Sequence, residues 1–434
     1  MQNSQRPADN PALDQAILLA NEHDVSVTVY FALDESVPHA TARTFTFLLD
    51  GLRETIQALQ ERGIVTVVRA EPAVSGVVGL ARELKASVVV TDLSALRRGR
   101  RLREEAADRL EVPLIQVDAD HVVPLHLIGK EHWAARTIRP VIHRLLPAWL
   151  LEPQPVEVRH RGPAHGSLAG IDLERASTGE LLAELNVDHT VGPAEDAPGG
   201  PTAGTHRLAR FVEAVLPGYA DRRRDAEEAG SGLSPYLRFG QISPLRVALA
   251  AQAADVPDDD RAAFLEELIV RRELASNFVY YNPAYDSLDG LPDWARKTLD
   301  RHRADPRSFV YAREEFATGQ THDPIWNAAQ RELLARGRIH NYVRMYWGKK
   351  IIEWSATPAD ALATALWLND RFGLDGRSPN GFTNVLWCFG KHDRAWAERP
   401  VFGTVRWMSE RGMASKFDLK PYLARWSPLD AGRI

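Results

Sequence analysis

Three stretches of this 434-residue chain concentrate residues that could do chemistry. The first, residues 218–243, contains SGLSPYLRFGQIS. Ser231, Gly232 and Ser234 precede a helical run, and small hydroxyl residues at a helix entrance offer N–H and O–H groups to an anion. The same residues also suit a plain N-cap at Ser234 with Pro235 in the first turn. The second, HNYVRMYWGKKIIEW, places Trp347 and Trp354 seven residues apart, on one helix face with a rise of ~10 Å between them; a core stripe has the same spacing. The third, NDRFGLDGRSPNGFTNVLWCFGKHDRAWAERPVFG (369–403), is dense in Asn, Asp, Gly, Pro and Trp, the composition of a loop held in place for a purpose. The single cysteine, Cys388, excludes a disulfide framework and a Cys-based metal site. The 14 histidines are scattered without metal-ligand spacing. No Gly-x-Ser-x-Gly elbow, Gly-x-Gly-x-x-Gly fingerprint or Walker A loop occurs.

Composition sharpens this. The net charge is −5, yet residues 321–434 hold 17 Lys/Arg against 11 Asp/Glu. A basic C-terminal part on an otherwise acidic chain points to an anionic partner. Nine of the 11 tryptophans lie between Trp294 and Trp426. Trp fills cores, but aromatic density beside positive charge also suits flavins and unstacked bases. No run of 18 apolar residues and no apolar signal core is present, so a cytoplasmic location without membrane attachment is expected.

The elements that must position these residues fall into two patterns. Up to about residue 125, short Val/Ile-rich runs (25–33, 65–70, 86–93, 113–119) alternate with helical spacing (11–23, 41–63, 73–85), which predicts a parallel sheet with helices on both faces. No strand precedes the first helix, and the expected domain of residues 1–150 lacks the strand that would open a doubly wound sheet. Residues 151–205 are rich in Pro and Gly and read as a surface connection. Residues 206–434 carry helical spacing throughout: an all-α domain. The run 357–373 has Pro358 in its first turn and Gly373 at its end.

The segments SGLSPYLRFGQIS, EELIVRRELASNF, HNYVRMYWGKKIIEW, DGRSPNGF and ERPVFGTVRWM together resemble the photolyase/cryptochrome superfamily, and within it the class II cyclobutane pyrimidine dimer photolyases. The resemblance runs from about Gly218 to Trp426 and is weaker in the N-terminal part. It implies an α/β domain, a linker and a helical FAD-binding domain. It also implies UV-damaged DNA as partner, a monomer, and light-driven electron transfer from reduced FAD to a flipped-out dimer, with a deazaflavin or folate antenna left open. A cryptochrome-like photoreceptor and a (6–4) photolyase are the alternatives. In this family a strand precedes the helix that begins near Pro11, so the natural protein is expected to start upstream of Met1.

The resemblance also assigns roles. Tyr219, Ser231, Gly232, Leu233 and Ser234 should contact FAD, with Gln241 a further polar contact. Arg344 and Asp375 should pair beside the isoalloxazine, and Asn369 should face flavin N5, although a helix C-cap would also explain it. Glu267 should hydrogen-bond the dimer, with Glu266 its rival; Trp387 and Met345 should wall the pocket. Val270 stands where the ELIWRE form has Trp, and Ser378 where class II members commonly carry Asp. Trp326, Trp347 and Trp354 match the chain that rereduces the flavin. Lys391, Arg399, Arg406 and Lys416 are candidates for phosphate contact.

Overall fold

The computed structural model describes residues 1–162, 168–222, 230–416 and 418–426. Helix α1 (Pro11–Glu22) opens the regular structure, its N-cap Asn10 accepting from the Leu13 amide at 3.3 Å. Strand β1 (Thr28–Ala32), helix α2 (Ala42–Glu61), strand β2 (Val65–Arg69), helix α3 (Ala73–Glu83), strand β3 (Val89–Asp92), helix α4 (Arg97–Arg109) and strand β4 (Leu114–Val117) follow. The four strands and three of the helices lie where the apolar runs and helical spacing predict them. Helix α4, RRGRRLREEAADR, was not expected. It buries only Gly99, Arg103 and Ala106, so it has no apolar stripe to betray it.

The sheet is divided. β1 pairs with β2 in parallel, Tyr30 opposite Val67, and β3 pairs with β4 in parallel, Val90 opposite Ile115. Among the described residues no ladder joins the two pairs, and both β1 and β3 line one open slot. The first residues of the chain cross one end of this slot. The Met1 amino group donates to the Tyr30 carbonyl at 2.9 Å, and the amides of Gln2, Asn3 and Ser4 converge on the Asp92 carboxylate.

Helix α5 (Ala135–Trp149) leads to the connection, which is anchored rather than free. Its helix Thr178–Glu184 has a capping box between Ser177 and Glu180. Leu173, Leu181, Leu185 and Val187 are buried. Arg53 of α2 donates to the carbonyls of Leu173 and Ala176, both at 2.9 Å.

The rest is helical. The helical stretch from Asp258 to Tyr281 is interrupted: Asp258–Leu265 is α-helical, Glu266–Arg271 is a π-helical turn and Arg272–Tyr281 resumes the α form. Such turns cluster at functional sites. Helices Pro324–Arg336, Asn341–Trp354, Pro358–Phe372 and Pro379–Cys388 build the remaining core. One continuous hydrophobic cluster joins the two halves of the chain. Arg43 of α2 ties them further, donating to the Leu333 carbonyl at 2.9 Å and the Phe372 carbonyl at 2.8 Å, near the ends of two of these helices. No described helix is long and apolar enough to cross a membrane.

Candidate active site

A cavity of about 2710 Å³ runs from the slot between β1 and β3 into the centre of the helical half. Tyr219, the turn Ser231–Ser234, Arg344, Asp375, Met345, Glu267 and Trp387 all line it. Residues from six separate segments, spread over 169 positions, thus meet around one space.

The turn at Ser231–Ser234 leads into the helix Ser234–Arg238. The hydroxyl of Ser231 accepts from the Leu233 amide at 3.3 Å, and Ser234 makes no side-chain cap, so the plain N-cap expected there is not formed. Gly232 has φ 68°, a left-handed conformation that glycine adopts without strain. A Cβ on it would lie 2.4 Å from an Arg207 nitrogen and 2.5 Å from an Arg338 nitrogen. Arg207 donates to the Ser231 carbonyl at 2.7 Å. Burial, with Arg338 and Arg210 close by, pulls its pKa below the usual guanidinium value. Arg338 is shifted the same way by burial and Arg336. Positive charge therefore accumulates at this turn, and neither Arg207 nor Arg338 forms an ion pair among the described residues. Sequence reading missed both arginines, because they sit 24 and 107 positions from Ser231 and nothing local marks them.

On the opposite wall, Arg344 donates to both Asp375 oxygens, at 3.0 and 3.2 Å, and to the Asn369 Oδ1 at 3.4 Å. The pair is largely shielded, with side-chain exposures of 10% and 15%. Asn369, in the last turn of Pro358–Phe372, is buried, and its Nδ2 donates to Asp370 at 3.0 Å. Its side chain is thus no helix cap; that place is taken by its carbonyl, which accepts from Gly373. Ser378 is the N-cap of Pro379–Cys388, accepting from Gly381 at 3.0 Å and donating to the Asp375 carbonyl at 2.6 Å. Serine at this position is therefore a cap that also steadies Asp375.

The two candidate carboxylates separate cleanly. Glu266 leaves the cavity and accepts from Arg139 at 2.7 and 3.0 Å, with Arg271 at 3.4 Å. Glu267, one residue on in the π-helical turn, lines the cavity. Arg271 lies 5.5 Å over the ring of Trp387, so a cation covers that wall beside the buried Val270. Met345 lies near Cys388, Sδ to Sγ 3.9 Å.

The three tryptophans come together. Trp326 stacks on Trp347 with centroids 6.2 Å apart and planes 4° apart, and meets Trp354 edge-on at 6.4 Å. Trp326, from the neighbouring helix, stands between the two that share a helix face. All three are buried.

Two expectations change. Gln241 does not reach the cavity: its Oε1 accepts from Gly200 at 2.8 Å, its Nε2 donates to the Phe47 carbonyl at 3.1 Å, and it is buried against Gly51. Both ends of the amide serve the junction of α2 with the connection. Lys391 is 6% exposed and bound to Glu131 at 2.7 Å and the Gly290 carbonyl at 3.0 Å, so its charge is engaged inside the protein. Arg399 and Lys416 are exposed, over the rings of Trp407 at 4.3 Å and Tyr342 at 4.8 Å. Arg406 and Arg394 flank Trp396 at 5.1 and 5.0 Å.

An α/β unit joined to a helical unit, with a deep central cavity and a buried tryptophan row beside it, defines a photolyase-type flavoprotein fold. The chain belongs to the DNA photolyase family. The family model for DNA photolyase matches residues 1–159. The deoxyribodipyrimidine photo-lyase of Methanothermobacter thermautotrophicus is 42% identical over 98% of this chain and 93% of its own length. That of Potorous tridactylus is 37% identical over 99% of this chain and 81% of its own. Among solved structures, a Synechocystis cryptochrome superposes with a TM-score of 0.78 at 17% identity, over 99% of this chain and 87% of that one. That likeness concerns the fold alone.

Proposed function

We infer that this chain is a deoxyribodipyrimidine photo-lyase, repairing cyclobutane pyrimidine dimers in DNA with light. The observation that carries the site assignment is the meeting of three groups on one cavity: a cationic turn at Ser231–Ser234, the Arg344–Asp375 pair, and Glu267 with Trp387. The family implies FAD, and the residues present fit it. A diphosphate suits the turn where Gly232, having no Cβ, lets the Arg207 and Arg338 guanidinium groups come close, and where neither forms an ion pair among the described residues. A planar ring suits the wall at Arg344, Asp375 and Asn369, where even a Cβ on Gly381 would come within 2.9 Å of the Asn369 amide nitrogen. Bound there in its reduced form, FAD would supply the photoexcited electron.

The chain's own part is positioning and electrostatics. Tyr219 and Ser231 to Ser234 hold the cofactor. Arg344 lowers the cost of negative charge on the neighbouring ring, while Asp375 keeps its guanidinium in place. The Asn369 amide, buried behind that wall, accepts from Arg344 and helps hold it in place. Glu267 accepts from a pyrimidine N–H and fixes the flipped dimer, with Met345 and Trp387 as its apolar walls. Trp354, Trp326 and Trp347, in that spatial order, conduct an electron inward when the flavin is oxidised. Arg399, Arg406 and Lys416 approach DNA phosphates. The expected antenna, a deazaflavin or a folate, has no residue here assigned to it.

An absorption spectrum of the purified protein, followed by repair of a thymine dimer in a duplex oligonucleotide under blue light and in the dark, tests this reading. Flavin bands with light-dependent repair support it. Flavin without repair would favour a photoreceptor, and absence of flavin would overturn the cavity assignment.

A further inference from the structure

Helix α5 presents two unlike faces. Ile138 and Ile142, one turn apart, are fully buried. Arg136, His143 and Arg144 lie on the exposed side, with Arg139 half-buried between them. The helix contains three arginines and no acidic residue, in the part of the chain that is acidic elsewhere. Arg139 is engaged by Glu266, but among the described residues Arg136 and Arg144 form no ion pair. Exposed tryptophans mark both ends: Trp133 is 53% and Trp149 41% exposed. The Arg136 guanidinium lies 4.2 Å over the Trp133 ring, which holds the cation in place without neutralising it.

This stripe is connected to the cavity wall. The Trp133 carbonyl accepts from His392 Nδ1 at 2.8 Å, and the His392 ring lies 5.7 Å from Trp387. From the same end of the helix, Arg139 grips Glu266 beside Glu267. Trp133 is thus two contacts from the wall on which the dimer would rest. From Arg136 to Arg144 the helix rises ~12 Å, the span of about three to four base pairs at 3.4 Å each.

We propose that the exposed face of α5 is a second contact surface for the damaged DNA, on which Arg136 and Arg144 receive the phosphates of the duplex flanking the dimer. This rests on the repair function inferred above. The occupant is nucleic acid because Arg136 and Arg144 are exposed arginines that form no ion pair among the described residues, and Trp133, under Arg136, is tied through His392 to Trp387 of the cavity wall. The contact carries no sequence information, which suits an enzyme that must act wherever a dimer forms.

The test is the salt dependence of binding to a 20-base-pair duplex carrying one thymine dimer, in wild type and in the Arg136→Gln/Arg144→Gln double variant. Loss of two phosphate contacts should make the slope of log K against log salt shallower by about 1.8. Undamaged duplex should show the same change. Light-driven repair of an isolated thymine dinucleotide dimer, which has no flanking duplex, should be unchanged in the variant. An unaltered slope overturns the proposal. So does an equal loss on the dinucleotide, which would place the effect in the catalytic cavity. Failure of wild type to repair either substrate would instead overturn the inferred function.

Discussion

The indole of Trp326 lies flat against that of Trp347, planes 4° apart, although 21 residues separate them in the chain. The arrangement is locked from both sides: Trp326 Nε1 donates to the Trp347 carbonyl at 2.9 Å, and Trp347 Nε1 donates to Gln330 at 3.0 Å. A π-contact held by two hydrogen bonds in a dry interior is suited to electron passage, and it makes Trp326 the centre of the row.

Replacing Trp347 or Trp326 by Phe should therefore abolish photoreduction of oxidised flavin while leaving repair by chemically reduced protein intact. Transient absorption reads the first and a repair assay the second. Normal photoreduction in the Trp326→Phe protein would remove the row from the electron path.

The adjacent carboxylates should respond differently. Glu267→Gln weakens a charge-assisted hydrogen bond, worth about 1.5 kcal/mol or roughly tenfold in dimer affinity, and repair per photon should fall. Glu266→Gln loosens a half-exposed pair with Arg139 and should cost at most about 1 kcal/mol of stability. Titration with dimer-containing DNA and a urea melt separate the two. Reversed outcomes would exchange the roles.

Asp375→Asn leaves the shielded Arg344 guanidinium without its partner. Breaking such a pair costs on the order of 3 kcal/mol, and flavin content per protein should drop. Gln241→Ala, by contrast, should lower stability by about 1–3 kcal/mol through unpaired backbone groups and leave flavin content unchanged. A loss of flavin with the latter variant would return Gln241 to the cofactor site.

Glu273 supplies a pH dependence. It is fully buried, accepts from the Val122 and Val123 amides at 2.8 and 3.0 Å, and burial pushes its pKa up to about 7, against the opposing pull of His121 and Arg272. The folded state then holds a proton that the unfolded chain has released, in the window from the ordinary carboxyl value to about 7. Stability should fall as pH rises through that window and level off above it. The difference between wild type and Glu273→Gln, measured by urea unfolding at pH 5 and pH 8, should reach on the order of 3 kcal/mol. Parallel profiles would show that Glu273 keeps its ordinary pKa.

Much was readable from residues alone, for a local reason. The Val-rich runs of β1 to β4, the Thr357–Pro358 start and Gly373 stop of one helix, and the 340–354 register all follow from spacing and capping within one turn or strand. The family motifs, being contiguous, located Arg344, Asp375 and Glu267. Other features are decided by distant neighbours. Helix α4 has few apolar residues to set a period, and it packs against α3. The π-helical turn that turns Glu267 rather than Glu266 inward leaves no mark in an apolar pattern that reads as a plain helix. Gln241 and Lys391 look like surface polar groups in sequence, yet each finds its partners more than 40 residues away, at Phe47 and Glu131, and burial then makes those hydrogen bonds obligatory. Arg207, in the helix Pro201–Arg210, and Arg338, in the turn between Pro324–Arg336 and Asn341–Trp354, converge on Gly232 only because segments far apart in the chain close over the same cavity. Side-chain type and local period determine which elements form; charge pairing and burial, which depend on the whole fold, decide which of their residues are left to act.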